Sequence, residues 1–193
     1  MFAIAALGVF AFSYHLGNRY ARPTFNELTI YVLPQPTPIA PFELNDEQGK
    51  PFDHHSLQGF WNLVMAGDLE TAACKSLLVR YVLAWNNLAV TPEMQKMTRV
   101  VFLNMSREQK APAELKPAID FYNPLFTAVD GDDTQRRRFG EQIGISSSAL
   151  QPGMACDSHN SVVALISPNG YLVALLTGIT DPALIARELL TFY

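Results

Sequence analysis

The sequence predicts an α/β domain in which a central mixed sheet is flanked by helices, with a small β-hairpin ahead of it. Three observations carry this. Short apolar runs of strand length alternate with segments whose apolar residues recur every three or four positions, as in sheets covered by helices on both faces. A turn-forming stretch, Asp46-Glu47-Gln48-Gly49, separates two short β-type runs near the start of that alternation. Near the end, Pro168-Asn169-Gly170 separates two apolar runs, so a second hairpin adds antiparallel strands.

At 193 residues the chain fits one compact domain with a short extension. Residues 1–16 (MFAIAALGVFAFSYHL) contain no Asp, Glu, Lys or Arg, and Gly17, Asn18, Arg19 and then Pro23 end the run. It is short for a spanning helix, which needs about 20 residues. No small-residue cleavage site follows it. Residues 1–22 therefore read as a membrane anchor or signal segment, with an uncleaved anchor preferred. Arg19 and Arg22 follow the run, and the positive-inside rule alone would hold that side in the cytoplasm. Residues 23–40 form a Pro-rich tether holding Pro23, Pro34, Pro36 and Pro38. Within it residues 28–33 (LTIYVL) are β-rich and predict an edge strand.

The domain proper spans residues 41–193. Residues 42–44 and 50–52 are the arms of the first hairpin. Residues 62–66 (NLVMA) predict a strand buried on both faces. Residues 71–88 predict a long helix, with Cys74, Leu77, Leu78, Tyr81, Val82, Trp85 and Leu88 on its apolar stripe. A second buried strand is expected at 99–103, a helix at 113–122, a short strand at 126–129 and a helix at 134–143. Residues 161–166 and 171–176 pair as the closing hairpin. Asp181 and Pro182 then open the last helix as N-cap and first residue. The order is a hairpin, then β-α-β-α-β-α, then a hairpin and a helix, which implies a mostly parallel centre.

Composition excludes several classes. Net charge is −4 and no Lys/Arg run extends far, so there is no footprint for nucleic acid. Arg136-Arg137-Arg138 lies among Asp130, Asp132, Asp133 and Glu141 and reads as a solvated helix face. The three aspartates lack the terminal Glu of a calcium loop and read as a turn and helix start. Asp68 reads as a helix cap, and His54-His55 as an exposed turn. No catalytic triad, phosphate loop or nucleotide fingerprint is present. The two cysteines, Cys74 and Cys156, leave three roles open: one bridge, shared metal binding, or inert core positions. Cys74 falls on a helical apolar stripe, where free cysteine is often simply buried. Cys156 falls in a polar stretch, MACDSH.

Several segments carry a family resemblance. Residues 41–52 (PFELNDEQGKPF) and then Ser56-Leu57-Gln58-Gly59-Phe60-Trp61 are similar to the opening hairpin of Sco and peroxiredoxin-type domains. Residues 101–108 (VFLNMSRE), 112–116 and 126–131 match the strand, loop, helix and strand that follow in Sco proteins. Asp157-Ser158-His159 with Ser167-Pro168-Asn169-Gly170 resembles their histidine loop and hairpin, at the family's spacing. Over roughly residues 36–193 the chain thus resembles the Sco (SCO1/SenC) family of copper chaperones. The resemblance implies a thioredoxin-like fold and a copper-binding chaperone more than an enzyme. It also implies a domain anchored in the inner membrane and facing the periplasm or an equivalent space. The partner it implies is a subunit of a respiratory cytochrome c oxidase under assembly.

The same resemblance implies a site. Sco proteins hold copper through two cysteines of a Cys-x-x-x-Cys motif at the start of the first helix and a histidine from the late loop. Thiolates suit Cu(I), imidazole suits both copper states, and a helix N-terminus favours thiolate. Here Cys74 matches the second cysteine and His159 the histidine. Glu70 stands at the first position, or Thr71 if the loop is one residue shorter. In the family's fold the late loop faces the start of the first helix, which would bring Cys156 towards Cys74. The expected metal ligands are then Cys74, His159 and Cys156, with Glu70 or Met154 as a further donor. The same proximity allows a Cys74–Cys156 disulfide. Two alternatives accompany copper delivery: a thiol-disulfide redox protein using the two cysteines, and a degenerate Sco-like interaction protein without metal.

Overall fold

A computed structural model describes residues 29–145, 156, 161–178 and 181–193. Strands β1 (Thr29–Pro38), β2 (Glu43–Asp46), β3 (Pro51–Asp53) and β4 (Trp61–Gly67) lead into helix α1 (Ala72–Asn87). Helix α2 (Pro92–Met97), β5 (Thr98–Asn104), α3 (Pro112–Asp120), β6 (Thr127–Asp130) and α4 (Asp133–Gln142) follow. Strands β7 (Val162–Ile166) and β8 (Tyr171–Thr177) and helix α5 (Pro182–Leu189) complete the described elements. All eight strands join one sheet in the order β1-β8-β7-β4-β5-β6-β2-β3.

The parallel part is smaller than the alternation of elements suggests. Only β4, β5 and β6 run parallel, and every other neighbouring pair among the described strands is antiparallel. The reason is that both hairpins insert into the sheet, one beside β6 and the other beside β4.

Period-two alternation divides the core. Leu63, Met65, Val100, Phe102 and Ala128 face α1, α3 and α5, where they meet Leu77, Leu78, Tyr81, Ile119, Ile185 and Leu189. Val64, Ala66, Val101, Leu103 and Val129 face the other way, onto Phe139 of α4 and onto Phe42, Leu44 and Phe52 of the first hairpin. Phe42 stacks on Phe139 with ring centroids 4.2 Å apart.

Several sequence expectations are corrected. The Pro-rich segment is largely a strand: β1 runs on to Pro38 along β8, although its register breaks between Val32 and Thr37. Prolines are tolerated there because an outer strand needs N–H groups on one side only. Helix α2 was not foreseen; it is a single short segment opened by Pro92. The cap of α1 is Thr71, whose hydroxyl accepts from the Cys74 N–H at 3.3 Å. Asp68 instead accepts from the Glu70 N–H, closing the turn before the helix. Arg136 is not on a solvated face: it is buried, while Arg137 and Arg138 are exposed. Residues 1–28, the apolar segment included, lie outside the described residues. Among the described residues no helix is long and apolar enough to cross a membrane.

Candidate functional site

Strand β4 ends at Gly67, and the chain turns through Asp68, Leu69 and Glu70 into α1. The turn is tied by Thr71, whose N–H and hydroxyl both donate to the Asp68 carbonyl, at 3.0 and 2.9 Å. This fixes Cys74 in the first turn of α1, on the face turned to the sheet. There its sulfur is bonded to that of Cys156, with Cα atoms 5.0 Å apart and a sequence separation of 82. Neither residue is reachable from solvent: Cys74 is 0% exposed and Cys156 2%. Met65, Leu69, Leu78 and Phe102 belong to the same core cluster. The Cys156 sulfur also lies 3.5 Å from the Ala66 carbonyl oxygen, an acceptor for its thiol once the bond is reduced.

The two cysteines are thus brought together, and in this state the sulfurs saturate each other. His159 and Met154 lie outside the described residues. Glu70 points to solvent, its side chain 71% exposed and its carboxylate 3.9 Å from the Lys75 ammonium. Burial raises the pKa of Tyr122, and the Glu70 carboxylate adds to the rise. A narrow cleft of about 50 Å³ runs beside the turn, lined by Asp68, Glu70, Asn104, Lys110 and Glu114 among others. Among the described residues no group of three or more His, Cys, Asp or Glu side chains is placed to hold a metal ion. That includes His54 and His55, whose rings lie 3.9 Å apart and tilted by 40° in a short 3-10 turn capped by Asp53.

Comparison with known proteins adds to this geometry. The SCO1/SenC family model matches residues 33–193. The chain belongs to the SCO1/SenC family. A Stutzerimonas stutzeri protein named for copper binding is 22% identical over 151 residues, covering 76% of this chain and 72% of that one. Yeast Sco1 with copper bound superposes with a TM-score of 0.66 at 18% identity, over 82% of this chain and 94% of its own. BsSco, described as a member of the Sco family of cytochrome c oxidase assembly proteins with a disulfide switch, gives 0.62 at 17% identity, over 83% and 96%. At these identities the structures establish a shared thioredoxin-like Sco fold.

Within that Sco frame, the surroundings of the sulfur pair contain residues that the sequence did not single out. Gly67 is one: a Cβ on it would stand 2.3 Å from both sulfurs. A second group lies at the ends of β5 and β6. Asp130, 2% exposed, accepts from Asn104 Nδ2 and the Lys110 N–H, each at 2.7 Å, and lies 3.5 Å from the Arg136 guanidinium. Arg136 also donates to the Ser106 carbonyl at 2.9 Å. Together they fasten the loop after β5, which supplies Lys110 to the cleft. The available signal was the Asp130–Arg136 spacing of six, which joins a strand end to the next helix. It was lost among the neighbouring charges.

Proposed function

We propose that this Sco protein binds copper and delivers it to a cytochrome c oxidase subunit during assembly, from a domain held at the outer face of the inner membrane by residues 1–22. Copper is its cargo. The ligands would be Cys74 and Cys156, once reduced, with His159 as the imidazole donor. Glu70 would be a further oxygen donor, suited to the harder Cu(II). The observation that supports this most is the second sulfur at the start of α1. The Cys-x-x-x-Cys motif is missing its first cysteine, yet the fold brings Cys156 onto Cys74 from 82 positions away. Two soft sulfurs beside a helix N-terminus are a donor set that fits Cu(I). Oxidised, the pair has no lone thiolate to offer, so loading requires prior reduction.

The test is titration with Cu(I) under reducing conditions in competition with a chromophoric chelator. His159→Ala is expected to weaken copper binding at least about tenfold with an unchanged far-UV circular dichroism spectrum. An unchanged affinity would remove His159 from the ligand set.

A second reading, thiol-disulfide exchange, is favoured by the bond itself, which is already formed in the fold. It requires an accessible sulfur. The two cysteines stand 82 positions apart in sequence, unlike the close pair of a usual oxidoreductase motif, which ranks it second. Rapid oxidation of a small dithiol by the folded protein, with one equivalent consumed per chain, would promote it.

A further inference from the structure

We infer that Gly67 is the positioning residue of the sulfur pair and sets its dithiol–disulfide equilibrium. The inference rests on the reading of Cys74 and Cys156 as the working pair.

Gly67 is the last residue of β4, paired with Asn104 and bonded through its carbonyl to the Met105 N–H at 2.7 Å. Its backbone does not adopt the left-handed region that glycine alone favours, since it is not among the positive-φ glycines. Its role is therefore one of space. A Cβ built on it would lie 2.3 Å from the Cys74 sulfur and 2.3 Å from the Cys156 sulfur, far inside the roughly 3.5–4 Å of ordinary contact. The next atom in reach, the Phe102 ring edge, is 3.6 Å away, which is ordinary contact. The absent side chain thus leaves a seat filled by the two bonded sulfurs.

Both sulfurs are buried, so they cannot move outward into water to relieve a clash. Any side chain at position 67 must displace them or the strand. The bonded form suffers most, because the covalent link fixes both sulfurs at once over the same Cα. Reduction by a dithiol breaks the sulfur–sulfur bond. Two electrons and two protons pass to Cys74 and Cys156, and the reductant leaves as its own disulfide. Each thiol can then rotate independently. Crowding at position 67 should therefore shift the equilibrium towards the dithiol.

The experiment uses the full-length protein, with and without Gly67→Ala. Each is equilibrated in graded mixtures of reduced and oxidised dithiothreitol, quenched by alkylation, and its thiols are counted by mass. The expected result is a shift of about tenfold or more in the midpoint ratio towards the dithiol. Midpoints within about twofold of each other would overturn the inference. A second measurement covers poor folding of the variant. The same substitution is placed in the Cys74→Ala/Cys156→Ala protein, where the obstructing sulfurs are gone. Gly67→Ala should lower Tm by at least about 3 °C with the disulfide present and by less than about 1 °C without it. Equal losses in both backgrounds would show that Gly67 serves strand packing alone. Copper is absent from both arms, so failure of the copper reading leaves their outcome unchanged.

Discussion

Two buried closures stand close together at the ends of the parallel strands, and they work by different physics. At the end of β4 the Cys74–Cys156 bond joins α1 to a residue 82 positions on. At the end of β6 the Asp130–Arg136 pair joins a strand to the helix that follows it, and fastens the loop after β5. The sulfur pair carries no charge and needs no partner beyond itself, so it can be buried among Met65, Leu69 and Phe102 at little cost. The ion pair must recover the cost of desolvating two charges, and does so with Asn104, Lys110, Ser106 and the Asp133 carboxylate added to it. A reductant opens the sulfur closure and leaves the ionic one untouched. Reduction should therefore release Cys156 while the loop that lines the cleft stays in place.

Substitutions separate the two closures, beginning with the largest effect. Cys74→Ser or Cys156→Ser removes a link closing a long loop and should cost about 4 kcal/mol in denaturant unfolding. Reductant should then have no further effect on either variant. Arg136→Met leaves Asp130 charged and buried and should cost about 3 kcal/mol. Asp130→Asn added to it should recover most of that loss, and thiol counts should stay unchanged in both. Thr71→Ala removes the cap of α1 and should cost about 1 kcal/mol. If Thr71 matters only as a cap, that loss should be the same in oxidised and reduced protein.

The smallest effect is one of pH. Burial alone would raise the pKa of Asp53, but the Ser56 N–H and hydroxyl, the His55 N–H and the His55 charge together lower it. A carboxylate with a depressed folded pKa contributes stability above its unfolded value of about 4, and loses it as pH falls through the folded value. Asp53→Asn should lower stability slightly at neutral pH and flatten the acid limb below about pH 4, so that the two profiles converge in acid.

The fold was legible wherever a pattern was local. The apolar stripe of α1, the Asp46–Gly49 turn and the Asp181-Pro182 helix start all lie where their residues predict. The cap of α1 was misassigned because Asp68 and Thr71 are both good capping residues, and only the turn geometry chooses between them. Arg136 was misread because its burial depends on Asp130, on a different element. The site was legible in part for the same reason. Cys74 follows from helical periodicity and from the family's motif, and resemblance alone pointed Cys156 towards it. Gly67 left no sequence signal, because what it does is leave room for atoms from distant parts of the chain.

The most direct test of the central claim is copper content and free-thiol count on the same preparation, before and after reduction and Cu(I) loading. No free thiol is expected before reduction. After loading, about one tightly held copper per chain is expected, lost in both Cys74→Ser and Cys156→Ser. No retained copper after full reduction of both cysteines would contradict the claim, and would leave a Sco-shaped protein whose sulfur pair serves the fold alone.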